Sequence, residues 1–74
     1  MDAKVSVRAP IAGRLLSIKV KVGDKLEKDD VVMELESMKM EIPIFAPQKG
    51  IVKEILVSEG DFVQTHAILA TIDL

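Results

Sequence analysis

This chain predicts an all-β fold: two similar four-strand units packed face to face around a pseudo-two-fold axis as a flattened sandwich or barrel. Three observations lead there. Residues 7–36 align with residues 44–73 at a constant offset of 37 without a gap, so one motif is used twice. Val, Ile and Leu dominate an apolar content of 49% while aromatics supply only 3%, and β-branched side chains suit a pleated sheet. No stretch joins a capping box to a sustained 3.6-residue apolar period, so no helix beyond a turn is expected.

The repeat sets the elements in order. Identities fall at Ala9/Ala46, Pro10/Pro47, Gly13/Gly50, Ile18/Ile55, Val20/Val57, Gly23/Gly60 and Asp24/Asp61. Each half opens on an extended segment closed by Ala-Pro, because proline lacks a backbone donor and sits at strand edges or turns. A turn then leads to Gly13 or Gly50 and the next strand. In the first half this strand alternates, with Ile18, Val20 and Val22 on one face and Lys19 and Lys21 on the other. Gly23-Asp24 and Gly60-Asp61 punctuate the halves, a short strand follows, and residues 31–36 and 68–73 close them. Two such units, each with one apolar face and too small to be stable alone, should pack face to face.

Length and charge exclude several functions. The 74 residues form a single domain, 1–74, near the lower size limit for a core without staples. With no cysteine, neither a disulfide framework nor a thiolate metal site is available. The net charge of -2, from 10 basic and 12 acidic residues interspersed, offers no basic stripe for nucleic acid. No apolar run approaches the roughly 20 residues needed to span a bilayer, and no signal-peptide core is present, so a cytoplasmic location without membrane insertion is expected. His66, the only histidine, cannot alone form a triad or a metal site. Asp24, Asp29, Asp30 and Asp61 lack the alternating ligand pattern of a calcium loop and read as turn formers. No catalytic residue and no metal ligand is assigned.

The symmetry directs attention to its midpoint, the connection over residues 37–43. It reads as a hairpin with Met38 and Lys39 at its tip. Lacking glycine, asparagine or proline, the tip disfavours a two-residue turn with positive φ at both central positions, and a wider type I turn is expected. A lysine there projects its amine beyond the body of the domain. The chain has eight lysines, and most lysines are ordinary solvated charges. The neighbours set Lys39 apart: Met38 and Met40 are half of the chain's four methionines, standing where polar turn residues are the norm. Flexible thioethers make an adaptable docking patch, although Met40, at the start of a strand, could instead face the core.

Glu36-Ser37-Met38-Lys39-Met40 resembles the biotin attachment motif Glu-Ala-Met-Lys-Met of biotinyl (biotin carboxyl carrier) domains. The duplicated Ala-Pro and Gly-Asp signals resemble the same biotinyl/lipoyl attachment family over residues 5–73, and the resemblance implies a flattened β-barrel/sandwich of two four-stranded antiparallel sheets with pseudo-two-fold symmetry, a barrel-sandwich hybrid, with the lysine on a hairpin at one end. The resemblance implies that a biotin protein ligase activates biotin as an adenylate, which the Lys39 amine attacks to form an amide. It implies that Met38 and Met40 direct the ligase to Lys39, with Glu36, Ser37 and Glu41 tuning docking. A non-catalytic carrier of this kind shuttles carboxylate between the biotin carboxylase and carboxyltransferase sites of a biotin-dependent carboxylase or decarboxylase. The carboxyl acceptor stays open.

Departures from the family pattern are few. Asp29 and His66, related by the 37-residue offset, stand where glycine is common, so both are expected to adopt left-handed backbone. Ile11-Ala12 replaces a frequent Met-Pro, and Ser37 replaces alanine. The gapless repeat leaves no room for a thumb loop, which points to the thumbless type. A lipoyl domain is the alternative, carrying lipoate for an oxoacid dehydrogenase-type system, or a carrier could accept both cofactors. Aspartate usually precedes the lipoyl lysine, and Met38 there favours biotin. An unmodified structural module of this fold has no need of Met-Lys-Met.

Overall fold

Where each apolar segment of the repeat meets its turn signal, the computed structural model, which describes residues 3–74, forms a strand. The strands are β1 (Lys4–Arg8), β2 (Gly13–Ile18), β3 (Lys25–Leu26), β4 (Val31–Ser37), β5 (Met40–Phe45), β6 (Gly50–Ile55), β7 (Phe62–Val63) and β8 (Ile68–Asp73). One sheet has the order β1-β8-β6-β3 and the other β5-β4-β2-β7, with every pairing antiparallel. The all-β architecture with two four-stranded sheets is as expected. Among the described residues no helix is long and apolar enough to cross a membrane.

The sheets are not the two sequence halves, which corrects the expectation that two four-strand units, one from each half, pack face to face. Each sheet takes two strands from each half. The cause is the tight connection between β4 and β5, which lays the first strand of the second half onto the last strand of the first. The pseudo-two-fold repeats this arrangement as β1 on β8. Loop bonds follow the same exchange. Ala9 N donates to Ala67 O, and its equivalent Ala46 N donates to Asp30 O; Gly23 N donates to Val52 O, and Gly60 N to Leu15 O. Each half thereby satisfies backbone groups that the other cannot satisfy alone.

Packing repeats the symmetry residue by residue. The buried side chains pair at the 37-residue offset as Val7/Ile44, Ala9/Ala46, Leu15/Val52, Leu26/Val63, Val32/Leu69, Met33/Ala70 and Leu35/Ile72. Burying an aliphatic side chain of this size contributes about 1.5–3 kcal/mol, so this core carries the fold. Strict alternation would not turn Val32 and Met33, or Leu69 and Ala70, inward together. Register shifts between Val31 and Met33 in β4, and opposite Leu69 in β8, do so by inserting one extra residue.

The alternation expected through Val22 stops early. β2 ends at Ile18, Val20 is half-buried against the core, and Val22 is 62% exposed. A turn intervenes: Asp24 N donates to Lys21 O while Asp24 Oδ2 accepts from Lys21 N, and Gly23 adopts φ +97°. Asp61 repeats this on Ser58, and Asp30 Oδ2 accepts from Glu27 N, so these aspartates are turn formers as expected. Asp29 and His66 take φ 73° and 71°, the left-handed backbone expected of both.

Two predictions follow from the packing. Leu35→Ala should lower unfolding free energy in urea by about 2–5 kcal/mol, as buried leucine truncations do. Asp29→Gly and His66→Gly should each raise it by about 0.5 kcal/mol, because relief of left-handed strain outweighs the added freedom of the unfolded chain.

Candidate functional site

The strands on either side of the midpoint leave almost no loop. Leu35 stands opposite Ile42, Glu36 opposite Glu41 and Ser37 opposite Met40, so only Met38 and Lys39 connect β4 to β5. Their φ values are 52° and 64°. This corrects two expectations, the longer connection over residues 37–43 and the wider type I turn. Positive φ at both central residues matches the right-handed twist of the strand pair, and the pairing of Ser37 with Met40 excludes a longer loop. Left-handed backbone costs about 1–2 kcal/mol per side-chain-bearing residue, and the surrounding pairing holds it.

The tip is exposed and anchored from below. Met38 is 88% exposed and Met40 64%, so neither enters the core; the buried methionine is Met33. Lys39 is exposed and belongs to no ion pair among the described residues, where Lys19 pairs with Glu34 and Lys53 with Asp73. Its amine is thus free to react. Beneath it, Leu35 points into the core and Gly13 lies against the Glu36 carbonyl, an approach that a side chain at position 13 would block. Ser37 is half-buried, while Glu36 and Glu41 project side by side from the outer face. Like charges placed directly opposite are destabilising, and nothing in the packing requires them.

Two further residues, which the sequence did not single out, join the site. Arg14 stands opposite Glu36 on one side and Phe62 on the other, giving an outward row Phe62, Arg14, Glu36, Glu41 across four strands. A shallow groove runs beside the hairpin, bounded by Gly13, Arg14, Glu36, Met38, Lys39 and Phe62. The available signal was Phe62 itself, one of two aromatic residues in the chain, placed beside the Gly-Asp turn. His66 and the aspartates do not join this site, and no cluster able to hold a metal occurs among the described residues.

The family model described as "Biotin-requiring enzyme" matches residues 5–72. The chain belongs to this biotin/lipoyl attachment family. A Bacillus subtilis (strain 168) relative, "Biotin/lipoyl attachment protein", is 51% identical over 65 residues, covering 88% of this chain and 89% of that one. "Biotinylated protein TB7.3 homolog" of Mycobacterium leprae (strain TN) is 47% identical over 66 residues, covering 89% of this chain and 93% of its own. Among solved structures, Kluyveromyces lactis urea carboxylase superposes with a TM-score of 0.90 at 32% identity. That match covers 97% of this chain but only 6% of the carboxylase. The chain is a biotin carrier domain, a non-catalytic module, and the lipoyl alternative is not favoured.

The carrier domain's tip fits the chemistry of a covalent cofactor. Attachment through an amide needs an amine that a second protein can reach and that no neighbouring carboxylate holds, and Lys39 is exposed and unpaired among the described residues. Because the turn is strained for methionine, Met38→Asn should raise unfolding free energy by about 1 kcal/mol, measured in urea, by placing a residue that tolerates left-handed backbone there.

Proposed function

We propose that this carrier domain, residues 1–74 acting as one unit, holds biotin as an amide on Lys39 Nζ and presents it to successive active sites of a biotin-dependent carboxylase. The observation carrying this reading is the lysine at the apex of a two-residue turn, exposed and free of any ion pair among the described residues. To form the amide, neutral Lys39 Nζ would attack the carboxyl carbon of the biotin adenylate; the C–N bond forms, the acyl–phosphate C–O bond breaks, AMP leaves and the amine gives up its remaining extra proton to solvent. Biotin so attached supplies a ureido nitrogen that takes up and gives up a carboxyl group.

The chain's own residues do the presenting. β4 is paired on both sides, by β2 and β5, so the tip moves as a rigid extension of its sheet. Met38 and Met40 offer a soft apolar patch through which a biotin protein ligase reads the site. Glu36, Ser37 and Glu41 lie close enough to tune that docking. Amide formation removes the lysine charge and leaves Glu36 and Glu41 against the single cation Arg14, a net negative field that favours basic contacts on the partner. Tethering raises the effective concentration of the cofactor at each site it reaches. The partners proposed are the ligase and the biotin carboxylase and carboxyltransferase subunits or domains, in the cytoplasm, without nucleic acid or membrane insertion.

Intact mass after incubation with a biotin ligase, ATP and biotin should rise by one biotin less one water, and Lys39→Ala and Lys39→Arg should show no gain. A gain with lipoate ligase alone would overturn the biotin reading. Met38→Ala and Met40→Ala should each lower kcat/KM of biotinylation about tenfold, with the fold retained, as truncation of an exposed anchoring side chain does.

A further inference from the structure

All the sulfur of this chain is in methionine, and its placement is uneven. With no cysteine, tryptophan or tyrosine, the four methionines are the side chains that a mild peroxide attacks first. Met1 lies outside the described residues. Met33 is fully buried between the sheets, whereas Met38 and Met40 are 88% and 64% exposed on either side of Lys39. At the twin end, which the pseudo-two-fold relates to the hairpin end, Lys25 and Ile51 hold the positions of Phe62 and Arg14, and no methionine occurs there among the described residues. The accessible thioethers are thus gathered at the end that carries the acceptor amine.

Oxidation has different consequences in the two places. The hairpin is held by the pairing of Glu36 with Glu41 and Ser37 with Met40, and neither exposed methionine packs against the core. A change at either sulfur therefore leaves the fold intact. A sulfoxide at Met33 would instead put an unpartnered polar group into an interior where, among the described residues, no buried side chain is polar or charged. Burial also keeps peroxide from that sulfur. Oxidation of the folded chain acts on the tip and spares the core.

Resting on the reading that a biotin protein ligase docks on Met38 and Met40, we infer that these two residues form a reversible oxidation site that switches off the loading of Lys39 under peroxide. The sulfur lone pair attacks one peroxide oxygen; the S–O bond forms, the O–O bond breaks, and water leaves. Sulfur is oxidised by two electrons and the peroxide is reduced by two. The sulfoxide is polar, so the patch that offered the ligase an apolar surface must now be stripped of its water on docking. A dithiol reductase reverses the step, removing the oxygen as water while its two thiols become a disulfide. Lys39 itself is untouched, so loading resumes once the thioethers are restored.

The test treats the full unloaded chain with hydrogen peroxide, then destroys the peroxide with catalase before ligase, ATP and biotin are added. Peptide mapping should place one oxygen on Met38 and one on Met40 while Met33 stays unmodified, with the far-UV circular dichroism unchanged. The kcat/KM of loading should fall about tenfold, as loss of an anchoring apolar contact predicts, and recover after methionine sulfoxide reductases A and B with dithiothreitol. In Met38→Leu/Met40→Leu, peroxide should leave kcat/KM at its untreated value, whatever that value is. Oxidation of Met33 as fast as the tip, equal loading of oxidised and reduced parent, or the same loss in the leucine variant overturns the switch. The underlying patch reading has its own readout in Met38→Ala and Met40→Ala. Loading of both at the parent rate overturns the patch and the switch together, whereas slow alanine variants beside an unaffected oxidised parent overturn the switch alone.

Discussion

Neither half of this chain can pair all of its own backbone. β8, from the second half, bonds β1 of the first on one side and β6 on the other, while β4 bonds β2 and β5. Loop amides cross between halves in the same reciprocal way, His66 N to Ala9 O and Asp29 N to Ala46 O. Unpaired buried backbone groups are costly, so the two repeats must close together or not at all. The paired core positions Leu35/Ile72 and Leu15/Val52 then fill one shared interior rather than two. Most of the interactions that define this topology join distant parts of the chain, so its stability is a property of the whole.

That closure makes the tip usable. Met38 and Lys39 hold left-handed backbone that neither residue favours, and they hold it because β4 is fixed between two neighbours. Around them gather other locally unfavourable choices: two exposed methionines and a pair of glutamates standing opposite one another. The twin end, built on the same backbone pattern, has Lys25 and Ile51 in place of Phe62 and Arg14. Departures from local preference that cluster at one end of a symmetric scaffold mark the end where selection acts on something other than stability. For a carrier, that end is where the cofactor must be reached by a ligase and then by catalytic partners.

The legible parts of the site were those written contiguously. Met38-Lys39-Met40 stands out because apolar thioethers are unexpected at a turn, and Glu36 and Glu41 flank it in the chain. Asp29 and His66 were legible through the family resemblance, in which glycine is common at both positions, and the 37-residue offset relates the two; both adopt left-handed backbone. Arg14 and Phe62 were not. They reach the groove only through the β2–β4 and β2–β7 pairings, which join segments far apart in sequence. The turn type was misread because local propensity points away from left-handed methionine and lysine, whereas the twist and register of the strand pair impose it.

Sequence alone determined the repeat, the all-β class, the places where the chain turns and the lysine at the midpoint. Each of these is a local or periodic property: residue volume, alternation, proline and glycine punctuation, and register at a fixed offset of 37. Tertiary structure alone decided that the halves interleave, that bulges turn Val32 and Met33 inward together, and that Val22 faces solvent. It also decided the geometry of the hairpin tip and the company of Arg14 and Phe62. These depend on which strand lies beside which, and that choice is made by pairing every backbone group while closing a single core.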